Sequence, residues 1–235
     1  MPIAIGLPGG GAQRLVVGVA TAAVLVLALA GRSLPHDFRR FFGPLPPALV
    51  LGVSLVIGAI AVDVLRSRGW GSVDVWSYSA AGFGAASVFA VAFAVVAVIA
   101  DCTLRFDADI NARWPGSLVF YPVIAPVAET VFHLVPLAVL ATALGLDFDA
   151  HDLGRRAMVA IVLVASIEAL FQAVAASDRD HLALTAFVIV HLFAIGLAEL
   201  FLFWRYGLAA MLAFRLLYYS LWHIAWGYLR LRALF

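Results

Sequence analysis

Apolar residues in this chain come in long unbroken runs, separated by short clusters of Arg, Asp, Gly and Pro. A membrane-crossing helix needs about 20 mostly apolar residues, and seven runs suit that requirement: residues 15–30, 47–65, 79–100, 117–144, 157–176, 182–203 and 208–229. Membrane β-barrels instead alternate apolar and polar residues over segments of about ten, so a barrel is excluded. The pattern predicts an all-α polytopic transmembrane bundle of about seven spanning helices. No internal repeat or low-complexity linker divides the chain, and residues 1–235 are expected to form one transmembrane domain.

Two stretches sit at the borders of this pattern. Ala28-Leu29-Ala30 resembles a signal cleavage site, but the run before it is long for a secretory signal and only Arg14 precedes it. A first membrane helix is the expectation there. Arg39 and Arg40 lie among Phe38, Phe41 and Phe42, and Pro44, Pro46 and Pro47 follow. That composition fits a segment lying at the headgroups or a loop with buried aromatics. Trp70, Trp76, Trp114 and Trp204 stand near the ends of runs, where an interfacial aromatic belt would place them.

Composition narrows the class. Of 235 residues, 65% are hydrophobic and 12% charged, with a mean hydropathy of +1.05. Soluble domains carry about 25% charged residues, so this chain cannot cover itself with solvated groups. One cysteine, Cys102, excludes an internal disulfide, and a net charge of +1 gives nucleic acid little to bind. The expected partners are membrane lipids and a peptide or membrane-protein substrate or partner, with no nucleic acid. The expected location is the cytoplasmic membrane of a bacterium. All fifteen basic residues are Arg; with seven spans, eight fall on one side and six on the other, which points to an external N-terminus. Asp101, Asp107 and Asp109, then Asp147, Asp149 and Asp152, cluster at the membrane edge without calcium-loop spacing and are expected in solvated connections.

The acids are unevenly placed. Glu129, Glu168 and Glu199 are the only Glu residues, and each falls inside an apolar run, as does Arg215. An ionisable group at bilayer depth costs about 2.5–3.5 kcal/mol on insertion scales, so each marks a functional site with a partner to be found. Glu129 and His133 are four apart and share a helix face. Pro122, Pro126 and Pro136 in the same run each delete a backbone donor, as in broken helices that line cavities. Glu168 and Gln172 repeat the four-residue spacing. His191 and Glu199, eight apart, lie roughly on one side of the sixth run, and Arg215, Tyr219 and His223 follow at four-residue steps on the seventh. Four consecutive polar stripes predict a common interior cavity rather than separate helix-to-helix ties.

Imidazole and carboxylate together suit Zn²⁺ or a similar ion, and a catalytic zinc takes about three protein ligands plus water. His133, His191 and His223, with Glu129 or Glu168, supply such a set, although no paired motif such as His-Glu-x-x-His is present. The same residues suit a metal-free site in which Glu168 neutralises Arg215 and the histidines move protons.

Ala125-Pro126-Val127-Ala128-Glu129, then Gly196 and Trp204-Arg205-Tyr206-Gly207-Leu208-Ala209-Ala210, give residues 115–228 a resemblance to the family of CAAX prenyl proteases and bacteriocin-processing membrane proteins, the CPBP or Abi family. Residues 1–114 carry no specific likeness. The family pattern is Glu-Glu-x-x-x-Arg, Phe-x-x-x-His and His-x-x-x-Asn. Here Thr130 replaces the second Glu and His133 or Leu134 the Arg, while Glu168-x-x-x-Gln172 and Arg215-x-x-x-Tyr219 occupy the later motifs. The resemblance implies an intramembrane metalloendopeptidase acting on a peptide or prenylated tail. Glu129 would be its general base, Glu168 a second carboxylate and Arg215 an oxyanion partner or the partner of Glu168. His133, His191 and His223 would be the metal ligands. The replaced motif residues equally fit a catalytically degenerate relative, a scaffold or partner-binding protein held by Glu168–Arg215 and Glu129–His133 contacts. A proton-coupled transporter is a third class, against which the lack of repeated halves counts.

Overall fold

The structure, a computed structural model, describes residues 38–39, 42–70, 79–148, 153–175 and 182–235. No strand occurs among the described residues, and six helices are long and apolar enough to cross a membrane. They are α1 (Pro47–Ser67), α2 (Ala80–Leu104), α3 (Ser117–Ala143), α4 (Arg155–Ala175), α5 (Leu182–Tyr206) and α6 (Leu208–Ala233). The chain is an all-α integral membrane protein. These helices take up the last six expected runs; the run at 15–30, with Ala28-Leu29-Ala30, lies outside the described residues, as do Arg40, Phe41, Trp76, Asp149 and Asp152.

Packing follows the logic of lipid rather than water. On α2, Ala86, Ala90, Ala94 and Ala97 are buried while Val88, Val91, Val95 and Ile99 face outward. On α4, Ala157, Ala160, Ala165 and Ala169 are buried and Val159, Leu163 and Leu170 exposed. Bulky apolar side chains gain nothing by leaving lipid, whereas small ones let helices approach closely. α3 touches α1, α4 and α6, α5 touches α2, α4 and α6, and α6 touches α2, α3 and α5, so these three helices bind the bundle together. A single residue, Gly207, joins α5 to α6 at φ +90°, a conformation glycine adopts without steric cost.

α3 and α6 each change pitch halfway. Glu129–Leu134 in α3 and Tyr219–Trp226 in α6 are π-helical. The prolines do not break α3: Pro122 and Pro126 lie within its α-helical first half, and Pro136 opens the α-helical stretch after the π segment. With i→i+5 hydrogen bonds a π turn holds more than four residues, so side chains four apart come close to eclipsing. Glu129 with His133, and Tyr219 with His223, are such pairs.

Two edge residues, Trp70 and Asp101, sit differently from expectation, and Phe38 fits one of its two expected readings. Trp70 is buried, with ring centroids 4.7 Å from Phe148 and 5.4 Å from Phe203, not in an interfacial belt. Phe38 is likewise buried against Phe42 and Phe120, the buried-aromatic alternative rather than a headgroup segment. Asp101, expected in a solvated connection, is fully buried in the last turn of α2. It accepts from Arg230 Nε (2.7 Å) and Nη2 (2.8 Å), from Trp226 Nε1 (2.7 Å) and from the Phe106 amide (3.0 Å). Arg230 also donates to the carbonyls of Phe106 (2.6 Å) and Asp107 (2.8 Å), tying the end of α6 to the α2–α3 connection. A bidentate pair whose remaining groups are satisfied is the form in which burial of two charges is tolerated.

Candidate functional site

Arg215 lies two turns into α6, 2% exposed. A guanidinium carries five N–H donors, and here each has a protein acceptor. Nε donates to Glu129 Oε1 of α3 (2.7 Å). Nη1 donates to Glu168 Oε1 of α4 (3.0 Å) and to the Tyr219 hydroxyl (3.1 Å). Nη2 donates to Glu168 Oε2 (2.9 Å) and to Glu199 Oε2 of α5 (2.7 Å). All three glutamates of the chain therefore converge from successive helices on one cation, and all are buried.

His133 completes the cluster. Its Nδ1 is 3.1 Å from Glu129 Oε2 and its Nε2 is 3.6 Å from Glu199 Oε2. Neither contact has hydrogen-bonding geometry: both ring nitrogens, Glu129 Oε2 and Glu199 Oε1 have no hydrogen-bond partner among the described residues. A buried polar atom left without a hydrogen bond costs about 1–3 kcal/mol, and this cluster holds four of them. Glu129, His133 and Glu199 each offer a ligand atom, all within 4.8 Å of one another, so this group could hold a metal ion. One imidazole and two carboxylates suit zinc as well as harder divalent ions. Three carboxylates beside one guanidinium also leave an excess of acidic groups that a cation would offset.

Local sequence makes the geometry. The π turn stands His133 over Glu129. Gly196 of α5 leaves room for the imidazole: a Cβ there would be 3.2 Å from His133 Nε2 and 3.1 Å from Ala165 Cα and O. On the other side of the turn, Thr130 Oγ1 donates to the Ser54 carbonyl of α1 (3.2 Å). A Cβ at Gly58 would be 2.6 Å from that same Oγ1.

Of the residues singled out in the sequence, Glu129, Glu168, Arg215 and His133 come together here, and both the Glu168–Arg215 and Glu129–His133 contacts form. His191 and His223 do not join them as ligands. His191 Nε2 pairs with the Tyr218 hydroxyl (3.1 Å) and its ring stacks on Phe187. His223 Nδ1 pairs with Asn111 Oδ1 (2.6 Å) and its ring stacks on Tyr121 at 4.5 Å. Glu199 stands where those histidines were expected. The signal for it was helical phase: at 3.6 residues per turn, positions eight apart differ by about 80°, so Glu199 and His191 need not face one neighbour. Arg215 is occupied by three glutamates rather than open to an oxyanion. Gln172, one turn from Glu168, donates to its Oε1 (3.3 Å). No family model, no curated protein and no solved structure matches this chain.

Proposed function

We propose that this protein is an intramembrane metal-dependent endopeptidase of the CPBP type, acting on a peptide or prenylated tail, with Zn²⁺ held by Glu129, His133 and Glu199. The observation that carries this is the convergence of three ligand groups, with four polar atoms that make no hydrogen bond among the described residues, in a buried site between four spans. When bound, zinc polarises a carbonyl and lowers the pKa of water. Arg215 holds Glu129 and Glu199 by one oxygen each and so fixes the donor set. With Oε1 spent on Arg215, Glu129 offers the ion only Oε2, 3.1 Å from His133 Nδ1, so it serves here as a ligand and not as the general base that the resemblance implies. The test is proteolysis by the full chain in liposomes containing farnesylated peptides, with new termini read by mass spectrometry. Cleavage should stop with a chelator and in Glu129→Gln and His133→Ala. Cleavage that survives Glu129→Gln contradicts the proposal.

A second function, a metal-free scaffold or partner-binding relative, is favoured by one observation: all five Arg215 donors are spent on the protein itself. In that case the folded chain takes up no zinc, and the network serves only to hold four helices together.

A further inference from the structure

Away from the Arg215 network, a groove of about 440 Å³ lies between α2 and α5, walled by Phe89, Ala92 and Val96 on one side and Ala194, Ala198 and Phe201 on the other. Both helices are membrane spans, so the groove opens onto hydrocarbon. Its α5 wall is a helical stripe at 194, 197, 198 and 201, and the next steps of that stripe are Trp204 and Arg205 at the end of the helix. Phe201 links the two levels, with ring centroids 6.2 Å from Trp204 and 6.5 Å from Tyr206. Arg205 is exposed; its guanidinium lies 5.5 Å from the Tyr206 ring centroid and makes no ion pair among the described residues.

An apolar slot below a cation flanked by aromatics matches the two halves of one molecule. Hydrocarbon fits the slot, and a phosphate at the membrane interface fits an arginine beside Trp and Tyr. A second copy of the chain fits worse. A two-fold pairing of this face presents the same patch on both partners, and brings no acidic group of the groove walls to meet Arg205. We propose that the α2–α5 groove holds one anionic glycerophospholipid, its acyl chain in the slot and its net negative headgroup on Arg205. The site is independent of the endopeptidase proposal, because Arg205 and the groove walls take no part in the Glu129–His133–Glu199 group.

The test is native mass spectrometry of the full chain released from nanodiscs of equal phosphatidylglycerol and phosphatidylcholine. The wild type should retain one phospholipid and favour the anionic one by about fivefold, the effect of about 1 kcal/mol per arginine near an anionic surface. Arg205→Gln, a surface change that leaves the fold intact, should remove the preference. Ala198→Phe and Ala92→Phe, which fill the slot from opposite walls, should each release the lipid while melting like the wild type. Equal retention of both lipids by the wild type, or lipid kept by the filled variants, overturns the proposal. Loss of a lipid-free dimer on filling the slot would also overturn it and assign the face to a second copy.

Discussion

Replacing Arg215 by Met removes the charge at the centre of the bundle and keeps an unbranched apolar stem. Five hydrogen bonds disappear, and Glu129, Glu168 and Glu199 are left facing one another at 3% exposure or less. Removing one partner of a buried ion pair costs about 3–5 kcal/mol. Three carboxylates depend on this guanidinium, so the upper end applies, and about 5 kcal/mol is between three and four decades in the folding equilibrium. Protonation of the orphaned acids limits the loss, because a neutral carboxyl no longer repels its neighbours. For the same reason Glu168→Gln added to Arg215→Met should recover part of the stability. Steric trapping in bicelles measures the equilibrium directly, and thermal melting at fixed detergent gives the rank order. An Arg215→Met protein within about 1 kcal/mol of wild type, well below the cost of an orphaned buried charge, would refute the view that this cation holds the four helices together.

Other expectations follow from the same contacts. Asp101→Asn should cost about 3–5 kcal/mol by orphaning Arg230, whereas Asp107→Asn, exposed and bound among the described residues through its carbonyl alone, should stay within about 0.5 kcal/mol; chemical or thermal unfolding of the two variants separates them. Gly58→Ala should cost about 1–3 kcal/mol from overpacking against Thr130, and adding Thr130→Ala should relieve most of it, a coupling read from a double-mutant cycle. Gly196→Ala should push on His133 and on the Ala165 backbone together. It should therefore weaken metal uptake as well as lower the melting temperature, whereas a purely structural glycine would affect the melting temperature alone.

Length and apolarity were enough to place the six described spans, because hydrocarbon forces every backbone group in a span to be satisfied within it. The end of α2 was less legible. The apolar run stops at residue 100, but the helix continues to Leu104 because Asp101 is neutralised by Arg230, 129 residues away. No local pattern carries such a pairing. Glu129 and His133 were visible as a four-residue pair, and Arg215 needed an acid, so Glu168 was a natural partner. Glu199 was harder to see, since its grouping with His191 rested on approximate helical phase, and an 80° offset was enough to send the two to different neighbours. His223 sits two steps beyond Arg215, but the π segment beginning at Tyr219 alters its direction, and Asn111, from a connection rather than a span, holds it.

The central claim is that Glu129, His133 and Glu199 hold one divalent ion, and metal stoichiometry tests it most directly. The detergent-purified full chain, loaded with zinc and washed, would be assayed by elemental analysis beside His133→Ala, Glu199→Gln, His191→Ala and His223→Ala, each verified as folded by circular dichroism. The account predicts roughly one zinc per wild-type chain, lost in His133→Ala and Glu199→Gln and kept in His191→Ala and His223→Ala. A folded wild type that takes up no zinc, or one whose zinc survives both His133→Ala and Glu199→Gln, would contradict it.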